Sequence, residues 1–321
     1  MANSVNDSIE EKAIDPKTIP DDLFAPVKKD GAPLEELTRP SVSYWKDAWH
    51  RILKNKLAVA GLVIIVVMLV MALIGPSLTP YDDREGILSN QNQAPSADHW
   101  FGTDELGRDV FTRVWHGARV SLLIGFAAAF IEFIIGVSYG GLSGYKGGRT
   151  DNVMMRIVEV LYGLPYLLVV ILLMVVMDPG VWTIIVALSL TGWVGMARLV
   201  RGQVLQLKTN EYVLASKVLG GSTPRIVRQH LLPNTMGPII VSMTLTVPGA
   251  IFAEAFLSFL GLGVQQPTAS WGSMANDALG VVNTGYWWRL VFPATMISLT
   301  MFAFNVFGDG LRDALDPKMR R

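Results

Sequence analysis

The chain has 321 residues, 51% of them hydrophobic and 17% charged, with a formal net charge of zero and no cysteine; its mean hydropathy is +0.38. So little charge at this length excludes an ordinary soluble domain, and the zero balance leaves no basic surplus for nucleic acid. The missing cysteine excludes disulfides, thiolate metal sites and a cysteine nucleophile. The composition is that of a membrane protein.

Residues 1–43 are rich in Asp, Glu, Lys and Pro without an apolar stretch, which predicts a disordered tail and not a signal peptide. Residues 44–56 form an amphipathic helix. Trp45, Trp49, Ile52 and Leu53 fall on one face with Lys46, Arg51 and Lys54 elsewhere, so it is expected to lie along the inner membrane surface. The uncharged run from Leu57 to Gly75 is about 28 Å long as a helix, enough for a bilayer core, and sets the first transmembrane helix at 57–78. A loop at 79–118 follows, acidic through Asp82, Asp83, Glu85, Asp98, Asp104, Glu105 and Asp109 and expected on the extracytoplasmic side. The core at 119–310 holds five more spans, near 120–139, 157–177, 181–197, 238–260 and 290–307. Asp178-Pro179-Gly180 separates the third from the fourth as a tight hairpin. A loop at 198–235 lies between the fourth and fifth, and 311–321 forms a second tail. The reading is all-α, with six transmembrane helices.

Of the 27 Lys and Arg residues, all but Arg84, Arg108, Arg113, Arg119 and Arg289 fall on the side of the two termini. The bias of positive charge toward the inner face then places both termini and the 198–235 loop in the cytoplasm. Trp100, Trp115, Trp271, Trp287 and Trp288 fit an aromatic belt on the opposite face. Within the loop, Asn210 is placed to cap a helix that begins at Glu211 and stops at Gly220-Gly221. Thr223 is placed to cap a second one, begun by Pro224 and broken at Pro233. The first is about 14 Å long, far too short to cross.

No G-x-x-x-x-G-K-[ST], H-E-x-x-H or G-x-S-x-G occurs, and His50, His99, His116 and His230 lack metal-ligand spacing. No catalytic residue, metal site or ATP site is therefore expected in this chain, and an intramembrane enzyme would lack its paired constellation. Acidic groups inside apolar spans carry more information, because a charge at the bilayer centre costs about 2.5–3.5 kcal/mol. Glu132 lies mid-way along the second span and Glu254 toward the outer end of the fifth. Both are expected to face the bundle interior, where they either line a translocation route or join hydrogen-bonded helix packing. Asn305 reads as packing glue in the last span.

The 198–235 loop resembles the EAA-type cytoplasmic signature of ABC importer permeases. Leu214-Ala215-Ser216, then Gly220, then His230-Leu231-Leu232-Pro233 keep the spacing of EAA, three residues, Gly, nine residues and a hydrophobic-any-Leu-Pro ending. FGTDELGRDVFTRVWHGARVSL (101–122), GGRTDNVMMR (147–156), LSFLGLGVQQPTASWG (257–272) and GDGLRDALDP (308–317) look like the oligopeptide/dipeptide/nickel permease group, most like the C-type permease of oligopeptide importers. The resemblance implies a type I importer permease fold in the bacterial cell membrane. It implies three kinds of protein partner besides the lipid bilayer and none of nucleic acid: a homologous B-type permease, two cytoplasmic ATPases that bind ATP and Mg, and an extracytoplasmic peptide-binding protein. The cargo implied is oligopeptides, with dipeptides, nickel complexes or glutathione as alternatives on the same architecture; a passive channel would need no docking loop. Glu211, Leu214, Ala215, Ser216, Gly220, His230, Leu232 and Pro233 would form the ATPase-coupling loop. Leu214 stands where the family has Glu, so an ion pair from that position is replaced by Glu211 or by an apolar contact.

Overall fold

The computed structural model describes residues 44–316; the tail assigned to 1–43 and residues 317–321 lie outside the described residues. Eleven α-helices follow one another there: α1 (Tyr44–Lys54), α2 (Lys56–Ile74), α3 (Val110–Lys146), α4 (Gly148–Tyr162), α5 (Tyr166–Met177), α6 (Val181–Leu207), α7 (Glu211–Val218), α8 (Thr223–Ile226), α9 (Leu232–Phe259), α10 (Trp271–Leu279) and α11 (Trp288–Leu315). Among the described residues no strand forms beyond a lone bridge between Thr103 and Asp109.

Among the described residues, five helical segments are long and apolar enough to cross a membrane: Lys56–Leu78, Val110–Lys146, Val181–Leu207, Thr223–Phe259 and Trp288–Leu315. The sixth crossing is α4 and α5 together, bent by 83°. The sequence places one span over 157–177, with Gly163 and Pro165 inside it as residues that permit a kink or break; the helix breaks there, at Gly163-Leu164-Pro165. Proline has no N–H to donate, and its ring disfavours the helical conformation at the residue before it. Other helices outrun their apolar cores, because hydrophobicity marks the lipid-matched length while the backbone bonds continue past it. Thus α11 takes in residues 311–315, with Leu311, Ala314 and Leu315 buried.

Asn55 starts α2, its Oδ1 accepting from the N–H groups of Leu57 (3.1 Å) and Ala58 (3.2 Å). The helix before it, α1, divides its apolar face. Ala48 and Ile52 pack with Ala58, Leu311, Ala314 and Leu315, while Trp45, Trp49 and Leu53 stay exposed. This contact brings both described ends of the chain to one end of the bundle.

At the bundle centre α3 lies against α6 along Gly136, Gly140 and Gly144. A Cβ on any of these would run into Met196 and the Trp193 carbonyl, the Ala197 carbonyl, or the Arg201 carbonyl and Val204. Small residues every fourth position let two membrane helices approach to backbone contact. Asp151 of α4 joins the same pair: Arg201 donates to it through Nε and Nη2, both at 2.6 Å, and Ser143 Oγ donates at 2.5 Å.

At the opposite end the loop after α2 is folded onto the helix ends. Asp104 accepts from the backbone N–H of Leu106 (2.9 Å) and Arg108 (3.0 Å) and from Arg108 Nε (2.7 Å). Asp109 caps α3 through Thr112 N–H at 2.8 Å and meets His99 Nδ1 at 2.9 Å. Arg289 of α11 bonds Asn92 Oδ1 at 3.1 Å and pairs with Glu105, and Trp288 Nε1 donates to the Thr103 carbonyl at 3.1 Å. Farther out, the N–H groups of Arg84 and Glu85 hold the Asp82 carboxyl below the usual carboxylate range.

Candidate coupling and pathway sites

The segment between α6 and α9 lies at the end that carries both described termini, where Lys208 Nζ donates to the Gly144 carbonyl at 2.9 Å. Here α7 closes with a left-handed glycine: Gly220 has φ +82°. The Gly221 N–H bonds the Ser216 carbonyl (2.9 Å) and the Gly220 N–H bonds the Lys217 carbonyl (3.1 Å). This paired pattern satisfies carbonyls that a helix end would leave open. It also turns the chain sharply into α8, whose N-cap is Ser222 and not Thr223. Nor does Pro233 end the helix as expected. Val227–Leu231 is a π turn, and Leu232 donates to Val227, one residue wider than an α-helical bond. The wider turn lets Pro233 sit in the first turn of α9, where its missing N–H removes no helical bond.

Val213, Ile226 and Leu231 are buried in one cluster with Val200, Val204 and Ile239, and so clamp the loop to α6 and α9. The outward face of α7 carries an open apolar strip beside Glu211 and Lys217: Leu214 is exposed, and Val218 and, just past the helix end, Leu219 are each 87% exposed. Glu211 and Ala215 are exposed, Ser216 is half-buried, Leu232 is partly buried against the loop's core, and Pro233 is exposed. His230 is half-buried, its ring 6.3 Å from that of Tyr212. The residues chosen for coupling thus share one structural unit. Leu214, in the place of a Glu, is the first of two apolar residues, with Val218, one helical turn apart.

The two intramembrane glutamates part company. Glu254 of α9 is fully buried. Its Oε1 accepts from Ser258 (2.8 Å) and Ser270 (2.6 Å) and its Oε2 from Ser121 (3.4 Å). Ser121 Oγ in turn accepts from the Trp271 N–H at 3.1 Å, so this carboxylate ties α9 to α3 and α10. Glu132 of α3 has no hydrogen bond or ion pair among the described residues and faces a cavity of about 340 Å³ with Tyr166, Leu188, Thr191, Gly192 and Thr246. Tyr166 Oη is buried without a partner. A Cβ at position 192 would overlap the Glu132 carboxylate. Tyr166 and Gly192 had a faint sequence signal, a hydroxyl at the head of an otherwise apolar run and a glycine within a span.

Among the described residues, five long crossings and a broken sixth, with a short glycine-capped helix set between two of them, make the architecture of an ABC importer permease. The fold agrees: a chain of the methionine ABC transporter MetNI, in an inward-facing conformation, superposes with a TM-score of 0.51 at 20% identity, over 62% of this chain and 94% of that one. The chain belongs to the family of binding-protein-dependent transport system inner membrane components, which it matches over residues 134–321. Residues 43–95 match the N-terminal transmembrane domain of oligopeptide transport permease C. The dipeptide transport system permease protein DppC of Bacillus subtilis is 67% identical over 94% of this chain and 95% of its own length. The oligopeptide transport system permease protein OppC of the same organism is 56% identical over 95% and 100%, and OppC of Escherichia coli is 43% identical over 89% and 95%.

Proposed function

We propose that this chain is the C-type permease of an ATP-driven peptide importer. It pairs with a homologous permease, receives peptide from an extracytoplasmic binding protein, and is driven by two cytoplasmic ATPases that bind ATP and Mg. The observation that carries this reading is the open apolar strip of α7, held rigid by its buried Val213 and its glycine cap, in a chain of this family. A short rigid helix clamped between two crossings converts closure of an ATPase pair into rocking of the bundle. The Lys and Arg bias puts that helix and both termini in the cytoplasm. Glu132, which fronts a cavity, lines the route, while Glu254 serves packing.

Gly220→Leu tests the coupling. A bulky residue in the left-handed region costs about 1–2 kcal/mol and turns α7 out of aim, so ATP-dependent peptide uptake is lost while the protein remains in the membrane at normal level. Normal uptake by that variant would refute it. For cargo, the high identity to both DppC and OppC favours peptides over nickel complexes or glutathione, with dipeptides and oligopeptides as the two readings. Competition by di- to octapeptides against one labelled peptide in the assembled importer separates them.

A further inference from the structure

Glu132 is the one charged residue among those lining its cavity. Other buried carboxylates are engaged: Glu254 by three serines, Asp151 by Arg201 and Ser143, and Asp104 by Arg108. Within a span, a carboxylate left without donors is costly and is turned to a partner or a pathway. Beside it Tyr166 also lines the cavity, and its Oη is buried without a protein partner. Thr246 Oγ1 also lines the cavity but is occupied, donating to the Ser242 carbonyl at 3.1 Å. The room is kept by small residues. Gly192 leaves space for the carboxylate, and Gly249, also on the wall, has nothing within 4 Å of where its Cβ would stand. At about 340 Å³ the cavity is of a size that holds a small ligand group. Tyr166 opens α5 directly after the break in the sixth crossing, and broken helices in membranes are tolerated where they border a cavity.

We infer that this cavity is a transit subsite for a cationic group, the α-ammonium of the passing peptide, with Glu132 as its anionic acceptor and the Tyr166 hydroxyl as a neutral one. An ammonium brings three N–H donors and no acceptor, which matches a carboxylate and a phenol oxygen that the protein leaves unbonded. One carboxylate without a surrounding cage suits a site that must release what it binds. The inference rests on the reading of the chain as a peptide permease.

The test uses the complete importer in proteoliposomes, with its partner permease, ATPases and binding protein, and one peptide in two forms, free and N-acetylated. Each is supplied at a concentration that saturates the binding protein, so differences between variants belong to the permease. Glu132→Gln should slow ATP-dependent uptake of the free peptide about tenfold, the worth of one charge-assisted hydrogen bond, and leave the acetylated peptide within about twofold of wild type. Tyr166→Phe should act in the same direction with a smaller loss. Should the Gln variant fail to co-purify with its partners, Gly192→Ala reads the same contrast, because it displaces the carboxylate without removing it. Equal slowing of both peptides would overturn the subsite in favour of a contact with the partner permease, and no slowing of either would overturn it outright. Wild-type complex that imports neither peptide would instead overturn the peptide-permease reading on which the inference stands.

Discussion

One serine ties α9 to the start of α10 at the end opposite the termini. Ser270 Oγ donates to Glu254 Oε1 at 2.6 Å and accepts from the Ser273 N–H at 3.0 Å, while Ser273 Oγ accepts from the Ser270 N–H at 2.9 Å. The pair is a reciprocal cap on α10, and its first member also satisfies a fully buried carboxylate. Ser270→Ala removes the cap and one donor at once. A lost cap costs about 1 kcal/mol and a buried acceptor left short about 1–3 kcal/mol, so the expected outcome is about 2–4 kcal/mol lower stability, read by thermal unfolding in detergent. Ser270→Thr should recover most of it. The same residues show where local sequence reading stops. Glu132 and Glu254 have the same signature, one acid in an apolar run. They differ because the donors to Glu254 include Ser121, 133 positions away, and Ser270, 16 positions away, whereas no donor reaches Glu132.

Among the elements, the α3–α6 contact depends on what is missing from the helix surface. At Gly140 an added Cβ meets the Ala197 backbone, which has nowhere to go; at Gly141 it meets only Leu232 Cδ2 at 3.6 Å and Val227 Cγ1 at 3.7 Å, ordinary contacts. Gly140→Val is therefore expected to push the helices apart and lower stability by about 1–3 kcal/mol, with Gly141→Ala close to neutral; thermal unfolding of the two side by side checks the contrast. The prolines follow the same logic of neighbours. Pro165 breaks a helix and Pro233 does not, because a π turn precedes the second. Pro233 reads as a breaker and Pro165 as a residue that permits a kink, and the turn that accommodates Pro233 had no sequence signal. The glycine cap of α7 was legible, since left-handed backbone at a helix end asks for glycine whatever packs around it.

For the molecule as a whole, the long loop between the first two crossings is a folded plate and not a tether. Its acids were visible in the sequence, but their partners, Arg108, Arg113 and Arg289, were visible only as charges on the minority side. Arg289 is 5% exposed and joins the plate to α11 through Glu105 and Asn92. Arg289→Ala should loosen that seam by about 1.5–3 kcal/mol, the worth of a hydrogen bond to a charged group. The expected result is faster hydrogen exchange and protease cleavage across residues 90–106, with α2, α6 and α9 unchanged.

By itself the sequence determined that the chain crosses a membrane, roughly where its crossings lie, how its charge is divided between the two sides, and that a short glycine-ended helix interrupts the apolar runs. These depend on composition, period and local backbone preference, which act within a few residues. Tertiary structure alone decided which glutamate is satisfied and which is left facing a cavity, which glycines are contacts, and how the sixth crossing bends. Inside a bilayer every polar group must find its partner within the protein, and that partner is supplied by whichever helix the fold brings alongside, however distant in the chain.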